Sequence, residues 1–227
     1  MDGLELKRGR VAAKLTQLEA SERLGLSQPY LSQLERGRRA VTPRLARAAA
    51  KLYRLSPTLL APPPGLPESR EASGRLPNQL AALGYPGFSH LRKGSLVNPA
   101  VTVLDALSER KLDGRVAEAL PWVLERFPSL DWNWLLDQAR RRNVQNRLGF
   151  LVTVARMLAE RRANKVAVER LTRVEQELEQ SRLVAETTLG REGMPAAERA
   201  WLREHRSPEA RHWNVVAGLK LQDLSYA

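Results

Sequence analysis

Two glutamines and a group of arginines stand close together in the stretch LSQPYLSQLERGRR, residues 26–39. A glutamine side chain has an acceptor and two donors, so it can form a bidentate pair with an adenine edge. Arginine binds phosphate oxygens through its planar guanidinium group. The alternative is a helix whose polar face is simply solvated. The residues with this chemistry are Gln28, Gln33, Arg36, Arg38 and Arg39.

Positive charge is concentrated at the start of the chain. Residues 1–60 contain 12 Lys and Arg against 5 Asp and Glu, which leaves only +5 of the net charge of +12 for residues 61–227. A small basic module joined to a larger region of nearly balanced charge is typical of a protein that binds a polyanion. The alternative is basicity that serves only solubility.

Composition also indicates the compartment. The chain has no cysteine, so no disulfide or thiolate metal site is expected, and a reducing cytosol is the natural environment. The first ten residues lack the apolar run of a signal peptide. The most apolar stretch, residues 148–159, is too short for a membrane span and contains Arg156. We therefore expect a cytoplasmic protein without a membrane segment.

Clear start and stop signals predict short helices in residues 1–60. Thr16 and Glu19 have the spacing of a capping box, and Gly25 can end that helix in a left-handed conformation. Ser27 can cap the next helix, with Pro29 tolerated in its first turn. Gly37 ends this helix, and further start signals at Thr42-Pro43 and Ser56-Pro57 predict a fourth and a fifth helix.

The two helices on either side of Gly25 have the spacing of a helix-turn-helix. The positions where these helices face each other carry apolar residues, namely Ala20, Leu24, Leu31 and Leu34. Gln28 then lies at the amino terminus of the second helix, which in this motif points into the major groove of DNA. A solvated helix explains the charges, but not the turn, the caps and the glutamines together.

Residues 4–60 resemble the phage-repressor (Cro-like, xenobiotic-response-element) helix-turn-helix family, most tellingly in TQLEASERLGLSQPYLSQLERGRR, Thr16 to Arg39. The resemblance implies a five-helix DNA-binding domain in which Gln17 touches phosphate and braces the recognition helix. It implies base edges for Gln28 and Pro29, with Gln33 nearby, although Pro29 can equally serve only to fix the helix start. The full set that it implies for DNA is Gln17, Ser27, Gln28, Pro29, Tyr30, Gln33, Arg36, Arg38 and Arg39.

The family pattern also pairs an arginine of the first helix with a glutamate of the recognition helix, which here implies an Arg10–Glu35 ion pair. The sequence departs from the pattern at Leu18, where a polar residue is usual, and at Ala20-Ser21, where Leu-Ala is usual. Gly9 inside the first helix costs about 1 kcal/mol against alanine.

Residues 61–75 are rich in proline and glycine and predict a linker between residues 1–60 and a second domain, residues 76–227. The second domain has helical periodicity and no useful strand alternation, so the expected fold class is all-α. We expect Pro121 to kink or split its helix, Ser129 or Asp131 to cap another, and a last helix to start at Pro195.

Two apolar stripes mark longer helices in the second domain. The first comprises Val144, Leu148, Leu151, Val152, Ala155 and Leu158. The second comprises Ala167, Leu171, Val174 and Leu178 within residues 165–186, and is a candidate for the contact of a homodimer or for packing inside the domain.

The tryptophans Trp122, Trp132 and Trp134 predict a core cluster rather than a ligand pocket. Residues 140–150 mix charged and amide side chains, which indicates a solvated helix junction, with a second anion-binding surface or a partner surface as the alternatives.

No catalytic motif is present, so an enzyme is not expected. There is no HExxH, GxSxG, Walker loop or GxGxxG, and the three histidines lack a carboxylate cluster, so neither a metal nor a cofactor is expected.

The leading interpretation is a sequence-specific transcription regulator that binds double-stranded DNA, a repressor with a helical dimerisation or effector-sensing domain. The alternatives are an antitoxin that binds a toxin and represses its own operon, and a protein-interaction module without DNA.

Overall fold

The computed structural model describes residues 1–63, 74–91, 94–224 and 226. The chain forms two compact units, one of Met1–Leu66 with Leu96–Asn98 and the other of Pro67–Ser95 with Pro99–Ala227. Most of the predicted linker, residues 64–73, lies outside the described residues. The expected all-α class is confirmed, since helices dominate both units.

The first unit contains four α-helices and one short 3-10 helix within the described residues. Four of their side-chain caps are those that the sequence predicts, because Thr16, Ser27, Thr42 and Ser56 each accept a bond from a backbone amide in the following turn. The cap of the first helix, a capping box of Asp2 and Glu5, was not predicted. Gly25 is left-handed, with φ of 67°, as the turn requires. The predicted fifth helix is the 3-10 turn. The elements are α1 Gly3–Ala12, α2 Gln17–Leu24, α3 Gln28–Glu35, α4 Pro43–Tyr53 and the 3-10 helix Pro57–Leu59.

Helix α1 packs against α3 and α4 around one hydrophobic core. Its backbone lies close to that of α3 at Gly3, where a Cβ atom would be 2.1 Å from the carbonyl oxygen of Leu34. At Gly9 a Cβ atom would lie 2.8 Å from Leu55, so this glycine leaves room for the half-buried Leu55 side chain against the helix backbone. The buried core residues are Leu6, Ala20, Leu31, Leu34, Leu45, Ala49 and Tyr53, with Leu24 packed against them.

The second unit is built of helices with one very small sheet. Its described α-helices are α5 Leu76–Leu83, α6 Pro99–Ser108, α7 Gly114–Arg126, α8 Trp132–Arg141, α9 Gln145–Arg161, α10 Lys165–Glu179, α11 Ala196–His205 and α12 Pro208–His212. Strands β1 Thr187–Thr188 and β2 Val215–Val216 pair in parallel, with Thr187 opposite Val215. Short 3-10 helices cover Pro86–Phe88 and Leu221–Asp223.

Helix α9 is the centre of this unit, because α7 and α10 pack along it and bury most of its residues. Trp213, fully buried, lies against its backbone at Gly149, where a Cβ atom would be 2.4 Å from the indole ring. The indole Nε1 donates to the hydroxyl oxygen of Thr153 at 2.8 Å. The glycine therefore creates the room that a buried tryptophan occupies.

Four expectations for the second domain need comment. Pro121 does not split its helix, since α7 continues through it. The strands β1 and β2 were not foreseen. A last helix does start after Pro195, but α12 follows it. Of the three tryptophans, Trp122 is buried in contact with Tyr85 and Phe127, whereas Trp132 and Trp134 are partly exposed.

The apolar stripe of α10 is not a free surface. Its four residues are 0–7% exposed because α10 packs along α9 within the same unit. The interpretation of this stripe as a homodimer contact is therefore wrong, and the alternative, packing inside the domain, is confirmed. The four residues are Ala167, Leu171, Val174 and Leu178.

Candidate nucleic-acid interface

Helix α3 presents a polar surface to solvent while its apolar side is buried. Leu31 and Leu34 face the core and are fully buried. The hydroxyl oxygen of Ser27 accepts from the amide of Tyr30 at 3.4 Å and so starts the helix, with Pro29 in its first turn. The solvent-exposed members of the predicted set are Ser27, Gln28, Pro29, Tyr30, Gln33, Arg36, Arg38 and Arg39, whereas Gln17 is half-buried.

The arginines lie where this helix ends. Arg36 is the C-cap residue of α3, and Arg38 and Arg39 follow in the turn before α4. Gly37 between them has φ of +71°, a left-handed conformation that glycine adopts at no steric cost. The three guanidinium groups are thus all attached at the carboxy-terminal end of α3. Gln28 lies at the other end, one helix length away.

An ion pair joins α1 to the end of α3. The Nε atom of Arg10 donates to Oε1 of Glu35 at 2.6 Å, and its Nη2 atom donates to Oε2 at 3.0 Å. The third guanidinium nitrogen, Nη1, donates to the carbonyl oxygen of Leu15 at 2.8 Å. The Arg10 and Glu35 side chains are only 10% and 1% exposed, so this bidentate pair is almost entirely removed from water.

The surroundings of Glu35 keep its carboxylate charged. Burial alone would raise the pKa of Glu35, but hydrogen bonds from Arg10 and Gln17 outweigh it and lower the pKa below the ordinary value. The bond to Glu35 is also the main reason that the pKa of Arg10 is raised. The pair is therefore fully ionised at neutral pH.

A chain of hydrogen bonds runs from this buried carboxylate to the start of the recognition helix. Nε2 of Gln17 donates to Oε2 of Glu35 at 2.8 Å, and Nε2 of Gln28 donates to Oε1 of Gln17 at 3.2 Å. A carboxylate only accepts, so Gln17 must turn its NH₂ group towards Glu35 and its oxygen towards Gln28. Gln28 is left with its own oxygen and its second N–H, one acceptor and one donor. We name this chain of residues, Arg10–Glu35–Gln17–Gln28, the amide relay.

One buried polar side-chain atom of the first unit has no hydrogen-bond partner among the described residues. The hydroxyl of Tyr53 is buried without one, and burial raises the pKa of Tyr53 to about 12, with the charge of Glu35 acting in the same direction. A buried hydroxyl without a partner costs free energy relative to its place in water.

We expect Tyr53→Phe to leave the stability of the first unit unchanged or to raise it by about 1 kcal/mol, because it removes an unpaired polar group and keeps the ring. Urea unfolding followed by circular dichroism measures this difference. A loss of stability of the same size would mean that the hydroxyl does have a bonding partner.

Three consecutive arginines of the second unit bond to their own neighbours. They belong to residues 140–150, where a second anion-binding surface is one of the predicted alternatives. Arg140 bonds to Glu177 and Ser181, Arg141 to Asp137, and Arg142 to Ser108. These bonds do not favour a second anion-binding surface. Only residues 140–143 are a partly solvated helix junction, because residues 144–150 are buried and Arg147 is itself bonded to Leu107, Thr187 and Glu192. The prediction of a solvated junction is therefore wrong for residues 144–150. Among the described residues, no group of three or more His, Asp or Glu is arranged to hold a metal, and no helix is long and apolar enough to cross a membrane.

Comparison with known families agrees with this geometry. Residues 6–60 match the family model described as helix-turn-helix, which confirms the resemblance seen in residues 4–60. The first unit is thus a helix-turn-helix domain of the class found in DNA-binding transcription regulators. No curated protein and no solved structure matches the chain.

The contact between Gln28 and Gln17 was not foreseen from the residues. The two lie eleven positions apart on different helices, so no helical spacing relates them. The bond from Gln17 to Glu35 was also missed, although the resemblance implies a bracing role for Gln17. The sequence showed only that both glutamines lie in the first turn of their helices, which does not by itself place the two side chains in contact.

Proposed function

We propose that the protein is a sequence-specific regulator of transcription that binds double-stranded DNA and acts as a repressor in the cytoplasm. The observation that carries the proposal is the amide relay, because it ties an exposed glutamine at the start of the recognition helix to a buried ion pair. A side chain that only needed to be solvated gains nothing from such bracing. A base-reading side chain gains preorganisation, since less rotamer freedom is lost on binding.

The free groups of Gln28 match adenine in the major groove. Its oxygen can accept from the adenine amino group while its second N–H donates to N7, which is the bidentate pair that distinguishes adenine. Residues farther along the helix and in the following turn contact phosphates, and these contacts fix the position of the protein along the DNA. We assign base edges to Gln28, Pro29 and Gln33, and backbone contacts to Gln17, Ser27, Tyr30, Arg36, Arg38 and Arg39.

We propose further that the regulator acts as a homodimer. One recognition helix reads only a few base pairs, and two copies on half-sites one helical turn apart supply the missing specificity. The second unit then provides the dimer contact or an effector site, through surfaces other than the buried α10 stripe. Recovery of bound sequences from random DNA tests both proposals, because a palindromic site reports a two-fold symmetric binder.

We expect Gln28→Ala to reduce discrimination between the recovered site and scrambled DNA by about 1–3 kcal/mol, with the loss confined to one position of each half-site. Fluorescence anisotropy at a fixed salt concentration measures both affinities. Gln176→Ala is the matched control, because this glutamine is also exposed on a helix but lies in the second unit. It should leave discrimination unchanged. If Gln28→Ala binds like the control, α3 is not the reading helix.

A second candidate function is an antitoxin that binds a protein partner through its second unit. The observation that favours it is Trp201 on α11, which is 57% exposed and stacked on His205 at 4.3 Å between ring centroids. Exposed aromatic side chains of this kind are enriched at protein interfaces. Co-purification of a second chain with the wild type, lost in Trp201→Ala, would favour this function over a homodimeric repressor.

A further inference from the structure

A groove in the second unit has apolar walls and a charged rim. Its volume is about 300 Å³, at the lower end of the range for small-molecule sites. Val154 and Met157 of α9 line it on one side, and Leu219 and Leu221 line it from the segment after β2. Most of helix α9 is buried, and Val154 is too, but Met157 is half-buried, so solvent reaches apolar surface of the central helix there.

Two cations stand at the rim of this groove without counter-ions. Arg161 is the last residue of α9, and Lys220 precedes the 3-10 helix Leu221–Asp223. Within the described part of the chain neither forms an ion pair, and the same holds for Glu209, the acidic residue of the lining. The lining therefore carries one net positive charge. Most exposed arginines described in this unit are instead held by carboxylates.

A neutral donor completes the rim. The hydroxyl oxygen of Ser207 accepts from the amide of Ala210 at 3.3 Å, which caps α12. Because the oxygen is used as an acceptor, the O–H proton of Ser207 remains available to a ligand. The groove thus offers two cationic donors, one hydroxyl donor and an apolar floor.

We propose that this groove binds an amphipathic monoanion, a carboxylate attached to an apolar chain or ring. The carboxylate lies between Arg161 and Lys220 and accepts from Ser207, and the apolar body covers Met157, Leu219 and Leu221. A neutral lipid would leave both cations unpaired, and a polyphosphate would bring several negative charges to a lining whose net charge is only +1. The proposal does not depend on DNA binding, and if the DNA-binding proposal holds, this ligand is the effector.

The test is a calorimetric titration of the full chain without DNA, with octanoate as the probe below its micellar concentration. We expect saturable one-site binding, and none with octylammonium, whose charge is reversed. Arg161→Ala and Lys220→Ala should each weaken octanoate about five- to tenfold, as expected for one lost charge-assisted bond at a partly solvated site. Arg173→Ala is the matched control, since this arginine is exposed on α10 and pairs only with Glu169.

Arg161 is exposed and Lys220 is half-buried, and an unchanged melting temperature shows that the variants fold. Absence of saturable octanoate binding overturns the proposal. Binding that survives both rim substitutions places the ligand elsewhere and overturns it too, as does equal binding of octanoate and octylammonium. If a peptide helix occupies the groove instead, octanoate will fail while the DNA experiments succeed, so the two proposals stand or fall separately.

Discussion

We expect Glu35→Ala to lower the free energy of unfolding of the first unit by about 3–5 kcal/mol, the range for breaking one side of a buried ion pair. The substitution leaves the Arg10 guanidinium, only 10% exposed, without its carboxylate. It also removes the acceptor of Gln17, so the amide relay loses its inner end. Urea unfolding at pH 7, followed by circular dichroism, measures the loss, and DNA affinity should fall with it.

Two further variants test the cause. The double substitution Arg10→Met with Glu35→Leu removes both charges together and should restore stability close to the wild type, because no charge stays buried alone. Glu22→Ala is the exposed control on α2 and should change stability by less than about 0.5 kcal/mol. If Glu35→Ala unfolds like Glu22→Ala, the ion pair does not stabilise the unit.

The same residue makes a prediction about pH. The pKa of Glu35 is lower in the folded unit than in the unfolded chain, where it is about 4.3. The contribution of Glu35 to the free energy of unfolding is therefore fully present above about pH 4.3 and is lost as the pH falls through its pKa in the folded unit. The stability difference between wild type and Glu35→Ala should therefore be largest near neutral pH and shrink below about pH 4. A difference that grows on acidification would contradict the assigned direction of the shift.

We expect Trp213→Ala to destabilise the second unit by about 3–5 kcal/mol, the usual cost of removing a large aromatic side chain from a core. The indole is fully buried, it packs on the backbone of α9 at Gly149, and it donates to Thr153. The substitution therefore opens a cavity beside the central helix and removes a buried hydrogen bond. Chemical unfolding followed by far-ultraviolet circular dichroism measures the effect.

The chain offers a matched control in Trp201, which is 57% exposed. Trp201→Ala should change stability by no more than about 0.5 kcal/mol. A double-mutant cycle adds a sharper check. Gly149→Ala should destabilise the wild type, because its new Cβ atom meets the indole, but not the Trp213→Ala variant, where that space is empty. Additive effects would show that the two residues do not share the contact.

Much of the first unit could be predicted because its helix ends are specified locally. Thr16, Ser27 and Thr42 cap their helices with their own side chains, and Gly25 supplies the left-handed turn. These signals act over three or four residues and can be found in the sequence alone. The amide relay could not be derived in the same way, because it depends on how α2 and α3 are placed after folding.

The predictions for the second unit that were wrong also failed because they depended on how the elements pack after folding. The stripe of α10 shows which side of the helix is apolar, but not whether α9 or a partner covers it. Strands β1 and β2 contain two residues each, too few for any period, and they pair across 28 positions, from Thr187 to Val215. At Pro121 the lost backbone bond is outweighed by the burial of residues on both sides, such as Leu120 and Trp122.

The amide relay has a consequence for how the recognised base can change during evolution. Glu35 fixes the direction of each donor in the chain, so position 28 must present a donor to Gln17. A glutamate at position 28 would place two acceptors face to face, and reversing Gln17 would only move that conflict to Glu35. A change of residue 28 to an acidic residue is therefore disfavoured by the hydrogen bonds within the domain unless residue 17 changes as well. Glu35 therefore restricts which residue types position 28 can hold, although its carboxylate does not contact the base.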